Sequence, residues 1–203
     1  MYKRQELLAG VVLTNTAVHQ PADVPVPAAL RLALAPAVTR LGTSKTTAFL
    51  DTTLAIAHPP LQRAVRDAYR APYRSAARRQ GIEGFVRDIP VDDRHPSAAE
   101  LERVAAGVAR LEVPALLLWG PRDPVFQERY LADLLRRLPH AAVHRFEGAG
   151  HLLAEDVDVA GSTFAWLDAT FDAAAAALAP GAPDPSFEPL WSCLLYTSDA
   201  ADE

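Results

Sequence analysis

Leu7 to Thr14 is an unbroken run of mostly apolar residues, with Val11, Val12 and Leu13 at its centre. Such a run, rather than an apolar–polar alternation, predicts a strand buried on both faces of a parallel sheet. It ends at Asn15, and Pro21, Pro25 and Pro27 then break the chain. From Ala28 to about Gln80 the spacing turns helical, through Leu30, Leu34, Val38 and Leu41 and then Phe49, Leu54, Leu61 and Val65. Pro59, Pro60, Pro72 and Pro90 divide this block into several short helices, because an internal proline removes a hydrogen bond and crowds the preceding turn. Ser97 stands three residues before Glu100, the spacing of a capping box, and predicts a helix running to about Arg110.

Ala115 to Trp119 is a second continuous apolar run and predicts a second buried strand. A helix is expected over 125–138, carrying Phe126, Tyr130, Leu134, Leu135 and Leu138, and Pro139 closes it. Ala142 to Phe146 reads as a third strand, Gly148 to Gly150 as a tight loop, and Val157 to Leu178 as a long helix with Phe164, Trp166, Leu167 and Phe171. Strands separated by helices imply an α/β fold, a parallel sheet with crossover helices. Residues 180–189 are rich in Pro, Gly and Asp and read as a linker.

Half of the 203 residues are hydrophobic, 22% are charged and the net charge is −5, which suits a soluble globular domain and gives no basic footprint for nucleic acid. No apolar run approaches the roughly 20 residues of a membrane span, and the N-terminus lacks a signal-peptide core, so a cytoplasmic location is expected. Only two of the 20 basic residues are Lys, a skew that fits a GC-rich genome. The rarest residues sit at the ends: Met1 and Cys193 are the sole Met and Cys, and Lys3 is one of the two Lys. A codon string encoding Cys193 to Ser198, read on its opposite strand from a GTG start, encodes Met1, Tyr2, Lys3, Arg4 and Gln5. Residues 1–5 and 193–203 therefore resemble the translation of one short sequencing adapter and are set aside from fold reasoning. The remaining residues divide into a core strand (6–20), a helical cap (21–96), a further part of the core (97–179) and the linker (180–192). They contain no Cys, so neither a disulfide nor a Cys-based metal site is expected, and no other metal or cofactor is called for.

The chemistry lies in two phrases that follow strands: Trp119 to Phe126 (WGPRDPVF) and Gly148 to Asp156 (GAGHLLAED). In open α/β sheets functional groups gather at the carboxyl ends of strands. Asp123 and His151 both fall there, and a carboxylate that holds an imidazole is the acid–base half of a nucleophilic triad. The order Asp then His also fits the nucleophile, acid, base order of α/β hydrolases. Each has a plainer reading: Pro-Arg-Asp-Pro is turn chemistry, and a His after Gly-Ala-Gly can simply enter a helix. The two together favour the catalytic reading. Phe126 and Leu152 are candidates to line an alkyl pocket, against the alternative that they are core. His58, His95, His140 and His144 read as surface or loop residues, Arg122 as solvated, and Glu155 and Asp156 as favourable charges at a helix N-terminus.

With these phrases in place, the chain resembles the C-terminal half of an α/β hydrolase of the haloalkane dehalogenase-like group. The likeness covers Glu6 to Phe171. Tyr69, Ala71 and Pro72, followed by Phe85, Arg87, Ile89 and Pro90, resemble that group's cap segment. The stretches Asp123 to Phe126, Arg129 to Tyr130, Arg137 to His140 and His144 to His151 are similar to the β-lactone decarboxylases of bacterial long-chain olefin biosynthesis. The resemblance implies an Asp nucleophile in a segment upstream of Glu6, with Asp123 holding His151 and a small hydrophobic molecule as substrate. Asn15 stands where some relatives place the triad acid as Glu, and it is counted among the substrate contacts. A haloalkane dehalogenase or ester hydrolase, and a truncated open reading frame without activity, are the competing readings. Phe187, Leu190 and Trp191 toward the end of the linker resemble the entry to a fused AMP-forming β-lactone synthetase.

Overall fold

A computed structural model describes residues 7–20, 36–90 and 94–172. The linker, both terminal peptides, the entry to the expected cap and the expected continuation of the last helix to Leu178 lie outside them. The chain divides into two compact units, Met1–Trp166 and Leu167–Glu203.

Three strands form a parallel sheet in the order β1 (Val11–Thr14), β2 (Ala115–Trp119), β3 (Ala142–Arg145). Val11 pairs with Ala115 and Thr14 with Leu118, while Leu116 pairs with Ala142 and Trp119 with Arg145. Every residue of β2 is buried. Its alternate side chains serve two cores, as expected of a strand covered on both faces. Ala115, Leu117 and Trp119 join Ala105 of helix α5 (Ala98–Val108) and Tyr130, Leu131 and Leu134 of α6 (Glu128–Arg137). Leu116 and Leu118 face the other way and join Ala149, Leu153 and the half-buried Val159 and Trp166. That second layer is built by the single turn α7 (Leu153–Asp156) and by α8 (Val159–Leu167).

The cap consists of α1 (Pro36–Arg40) with a π-helical turn at Leu41–Lys45, α2 (Ala48–Ala55), α3 (Arg63–Arg70) and α4 (Ala76–Arg87). Pro59 and Pro60 fall between α2 and α3, Pro72 lies in the turn between α3 and α4, and Pro90 follows α4, as the proline spacing predicts.

Four expectations are corrected. The first strand begins at Val11 rather than Leu7, because its first backbone bond is to the Pro114 carbonyl and Leu7 and Leu8 have no strand beside them among the described residues. No capping box forms at α5: the Ser97 hydroxyl turns to Asp88, and Glu100 pairs with Arg103. Helix α6 begins at Glu128 rather than 125, because the Asp123 carboxylate takes the amides of Val125 and Phe126 and holds them in a turn. The last helix begins at Val159 rather than Val157, whose backbone is extended, and the Asp158 carboxylate accepts the Gly161 amide at its start.

Candidate active site

The parallel register brings the ends of all three strands to one edge. Asn15 follows β1, Gly120 follows β2, and Phe146 at the end of β3 bonds the Trp119 carbonyl at 2.8 Å. The chain leaves β2 through Gly120 because nothing larger fits: a Cβ there would sit 2.8 Å from the carbonyl oxygens of both Ala149 and Gly150. The 148–150 turn is thereby pressed against the end of β2, and Arg122 bonds the Ala149 carbonyl at 3.0 Å. Three residues on, Asp123 is 2% exposed.

Asp123 and His151, the two residues expected to be catalytic, meet. His151 Nδ1 donates to Asp123 Oδ2 at 2.9 Å. Asp123 Oδ1 accepts the backbone N–H of Val125 at 2.7 Å and of Phe126 at 3.0 Å. A buried carboxylate needs partners to remain charged, and this one has an amide pair on one oxygen and an imidazole on the other. With Nδ1 committed, Nε2 is the ring nitrogen left to take a proton. The His151 side chain is 20% exposed, and Nε2 has no hydrogen bond among the described residues.

Asn15, counted from the sequence among the substrate contacts, is brought into the same network, where it bonds Asp123. Its Nδ2 donates to Asp123 Oδ2 at 3.0 Å and to the Gly150 carbonyl at 2.7 Å, and its Oδ1 accepts the Gly120 amide at 2.8 Å. Both ends of the amide are thus used inside the chain, and the residue is 8% exposed. Its φ of 31° is in the left-handed region, which Asn tolerates better than most non-glycine residues. Phe126 lays its ring along that of His151, centroids 5.8 Å apart and 21° from parallel, and its far side packs into the core beside Tyr130. Leu152 is half-buried directly after His151. A concave surface of about 1230 Å³ lies on the cap, lined by residues that include Arg40, Lys45, Phe85, Arg87 and His95, and neither Asp123 nor His151 lines it. No group of three or more His, Cys, Asp or Glu able to hold a metal occurs among the described residues.

Sequence reasoning missed the residues that tie the site to the cap. Asp156 and Glu155 lie in the first turn of α7 and also make specific bonds of their own. Asp156 accepts the amide of Gly150 at 2.7 Å and that of His58 at 3.1 Å, and Glu155 accepts the Tyr69 hydroxyl at 2.7 Å. That bond pushes the Tyr69 phenol above its ordinary pKa. His58 also touches Arg122 through its Nε2, so neither side chain is simply solvated. His140 bonds the Val113 carbonyl at 2.9 Å, and His95 bonds the Arg87 carbonyl at 2.9 Å, as structural residues do.

A parallel sheet whose central strand is covered on both faces, with a buried acid and a histidine on the loops after successive strands, defines a class. Residues 5–157 match the family described by the alpha/beta hydrolase fold, and the chain belongs to that family. Within it, the chain is 32% identical over 152 residues to a cis-3-alkyl-4-alkyloxetan-2-one decarboxylase of Shewanella oneidensis, covering 72% of this chain and 47% of that protein. A decarboxylase of the same name from Xanthomonas campestris is 38% identical over 94 residues, 46% of this chain and 31% of its own. The chain thus spans about half or less of the curated relatives it matches. Its fold is that of the crystal structure of a haloalkane dehalogenase from Bradyrhizobium elkani, with a TM-score of 0.70 at 22% identity over 85% of this chain and 62% of that one. No helix among the described residues is long and apolar enough to cross a membrane.

Proposed function

We propose that the chain carries the acid–base half of a β-lactone decarboxylase, an enzyme that converts a long-chain β-lactone into an alkene and carbon dioxide. The observation that carries the reading is the 2.9 Å contact between Asp123 and His151 at the ends of successive strands, in a chain whose relatives include two such decarboxylases. In this reading a carboxylate nucleophile, supplied by a segment preceding Glu6, opens the four-membered ring. Attack at the oxygen-bearing ring carbon releases the ring oxygen as a carboxylate; the carbon–carbon bond to that carboxylate then breaks to give carbon dioxide, its electron pair forms the alkene, and the ester carbon–oxygen bond breaks to return the nucleophile. All atoms of the lactone appear in the two products, so neither water nor a redox partner is consumed. Asp123 fixes the His151 tautomer and offsets any positive charge that the ring acquires. The setting is cytoplasmic, and the synthetase resembled by 187–191 is a fused or associated partner that supplies the lactone.

A haloalkane dehalogenase would use the same pair differently, with His151 Nε2 activating a water against the ester intermediate. The two are separated by assay. The chain is produced alone and as part of the longer protein that includes the preceding segment, and each is given a cis-3,4-dialkyl-β-lactone and a haloalkane. Alkene from the lactone by the longer protein, with none from the chain alone, is the expected outcome. Halide release without alkene would replace the reading by the dehalogenase, and comparable lactone turnover by the chain alone would show that the nucleophile lies within it. In the longer protein, Asp123→Asn should lower kcat by a hundredfold or more, of the order seen when a triad acid loses its charge.

A further inference from the structure

Resting on the catalytic reading of the Asp123–His151 pair, we propose that Asp156 is a positioning residue that ties the seating of the cap to the placement of the base. The peptide before His151 is gripped from two sides. Asp156 Oδ2 holds the Gly150 N–H at 2.7 Å, and Asn15 Nδ2 holds the Gly150 carbonyl at 2.7 Å. The other oxygen of Asp156 holds the His58 N–H at 3.1 Å, in the strap that joins cap helices α2 and α3. One carboxylate therefore spans the base loop and the cap. The strap is pressed against that loop as well: the His151 N–H reaches the Ile56 carbonyl at 3.4 Å, and a Cβ on Gly150 would lie 2.9 Å from the Ile56 oxygen. Ala57, between them, is 5% exposed.

The geometry calls for a carboxylate. Two backbone N–H groups converge on it, and charge-assisted bonds of this kind are roughly twice as strong as neutral ones. An Asn in its place can accept through one atom only, and its NH₂ group would face an N–H. Displacing the strap therefore loosens Gly150, and with it the aim of the imidazole at Asp123. The second cap bond, from Tyr69 to Glu155, lies one residue away but does not touch Gly150, so it serves as the control.

The test reads the His151 Nδ1 proton by NMR in the full chain, where a proton held between imidazole and carboxylate gives a low-field signal. Asp156→Asn should abolish or broaden that signal, whereas Tyr69→Phe should keep it even where it lowers Tm. A signal unchanged in Asp156→Asn overturns the proposal. Asp123→Asn separates the two levels: a signal that survives it overturns the catalytic pair, whereas one lost there but kept in Asp156→Asn overturns only the role of Asp156. Should Asp156→Asn fail to fold, hydrogen exchange on the unaltered protein decides. The Gly150 and His58 amides are expected to be protected and to open together, and free exchange at Gly150 overturns the proposal.

Discussion

At the scale of single residues, the site is held by groups whose bonds are all made inside the chain, and Asn15 is the centre of that network. It makes three hydrogen bonds to partners 105 to 135 residues away, one of them to the acid. Asn15→Ala strips a donor from Asp123 and from the Gly150 carbonyl, and an acceptor from the Gly120 amide. Leaving a buried polar group short costs about 1–3 kcal/mol, so a loss at least that large is expected in the urea unfolding free energy. Asn15→Asp tests the same contact through charge. It keeps the size but turns a carboxylate oxygen toward Asp123 Oδ2 where an N–H had donated, and like charges at that distance are destabilising. The loss should be largest at neutral pH and should shrink as the pH falls and one of the two carboxyls takes a proton. A loss independent of pH would mean that the Asn15 side chain does not face the acid.

At the scale of elements, cohesion within the cap can be followed by pH. Asp51 on α2 accepts the Thr47 hydroxyl at 2.8 Å and pairs with Arg70 on α3 at 2.8 Å, and these partners hold its carboxyl below the ordinary carboxylate range. Because the folded value lies below the unfolded one, the contribution to stability is present above the unfolded pKa and is lost as the pH falls through the folded one. The pair is part-exposed, so the effect is small. The expected result is that the difference in urea midpoint between the unaltered chain and Asp51→Asn, present at pH 7, shrinks progressively as the pH falls below the ordinary carboxylate range. What was legible at this scale follows from the same local logic. β2 could be read because a strand buried in a parallel sheet is written as a short apolar run, whereas β3 is exposed along its length, and the loops after them could be read because parallel strands must end at one edge. The start of α6 could not, because the Asp123 carboxylate that delays it also bonds His151, and only the fold tells a turn-forming Asp from one that faces a histidine. Asp156 was hidden for a related reason. Near a helix start a carboxylate looks like a dipole partner, and nothing local points to the His58 amide 98 residues earlier.

At the scale of the whole molecule, the open flank of β1 sets the behaviour of the chain in solution. Among the described residues β1 pairs with β2 alone, so its outer edge presents unpaired amides and carbonyls, and Val11, Val12 and Leu13 are only half-buried although their sequence is that of a central strand. Just ahead of them Leu7 is 66% and Leu8 45% exposed. Edges of this kind template pairing with another chain unless charge, a bulge or a covering segment blunts them. The curated relatives are about one and a half times as long as this chain, and we propose that the preceding segment of the longer protein supplies the strand that covers β1. The chain by itself should then associate through this flank. Sedimentation velocity across a hundredfold range of concentration is expected to show species larger than the monomer. Leu7→Lys with Leu8→Lys should shift the distribution back toward monomer, because lysines at a strand edge oppose pairing without entering either core. The longer protein should remain insensitive to both the concentration and the lysines. A chain that stays monomeric throughout would mean that the β1 edge is protected by residues of the chain itself, and the covering strand would then have no role to fill.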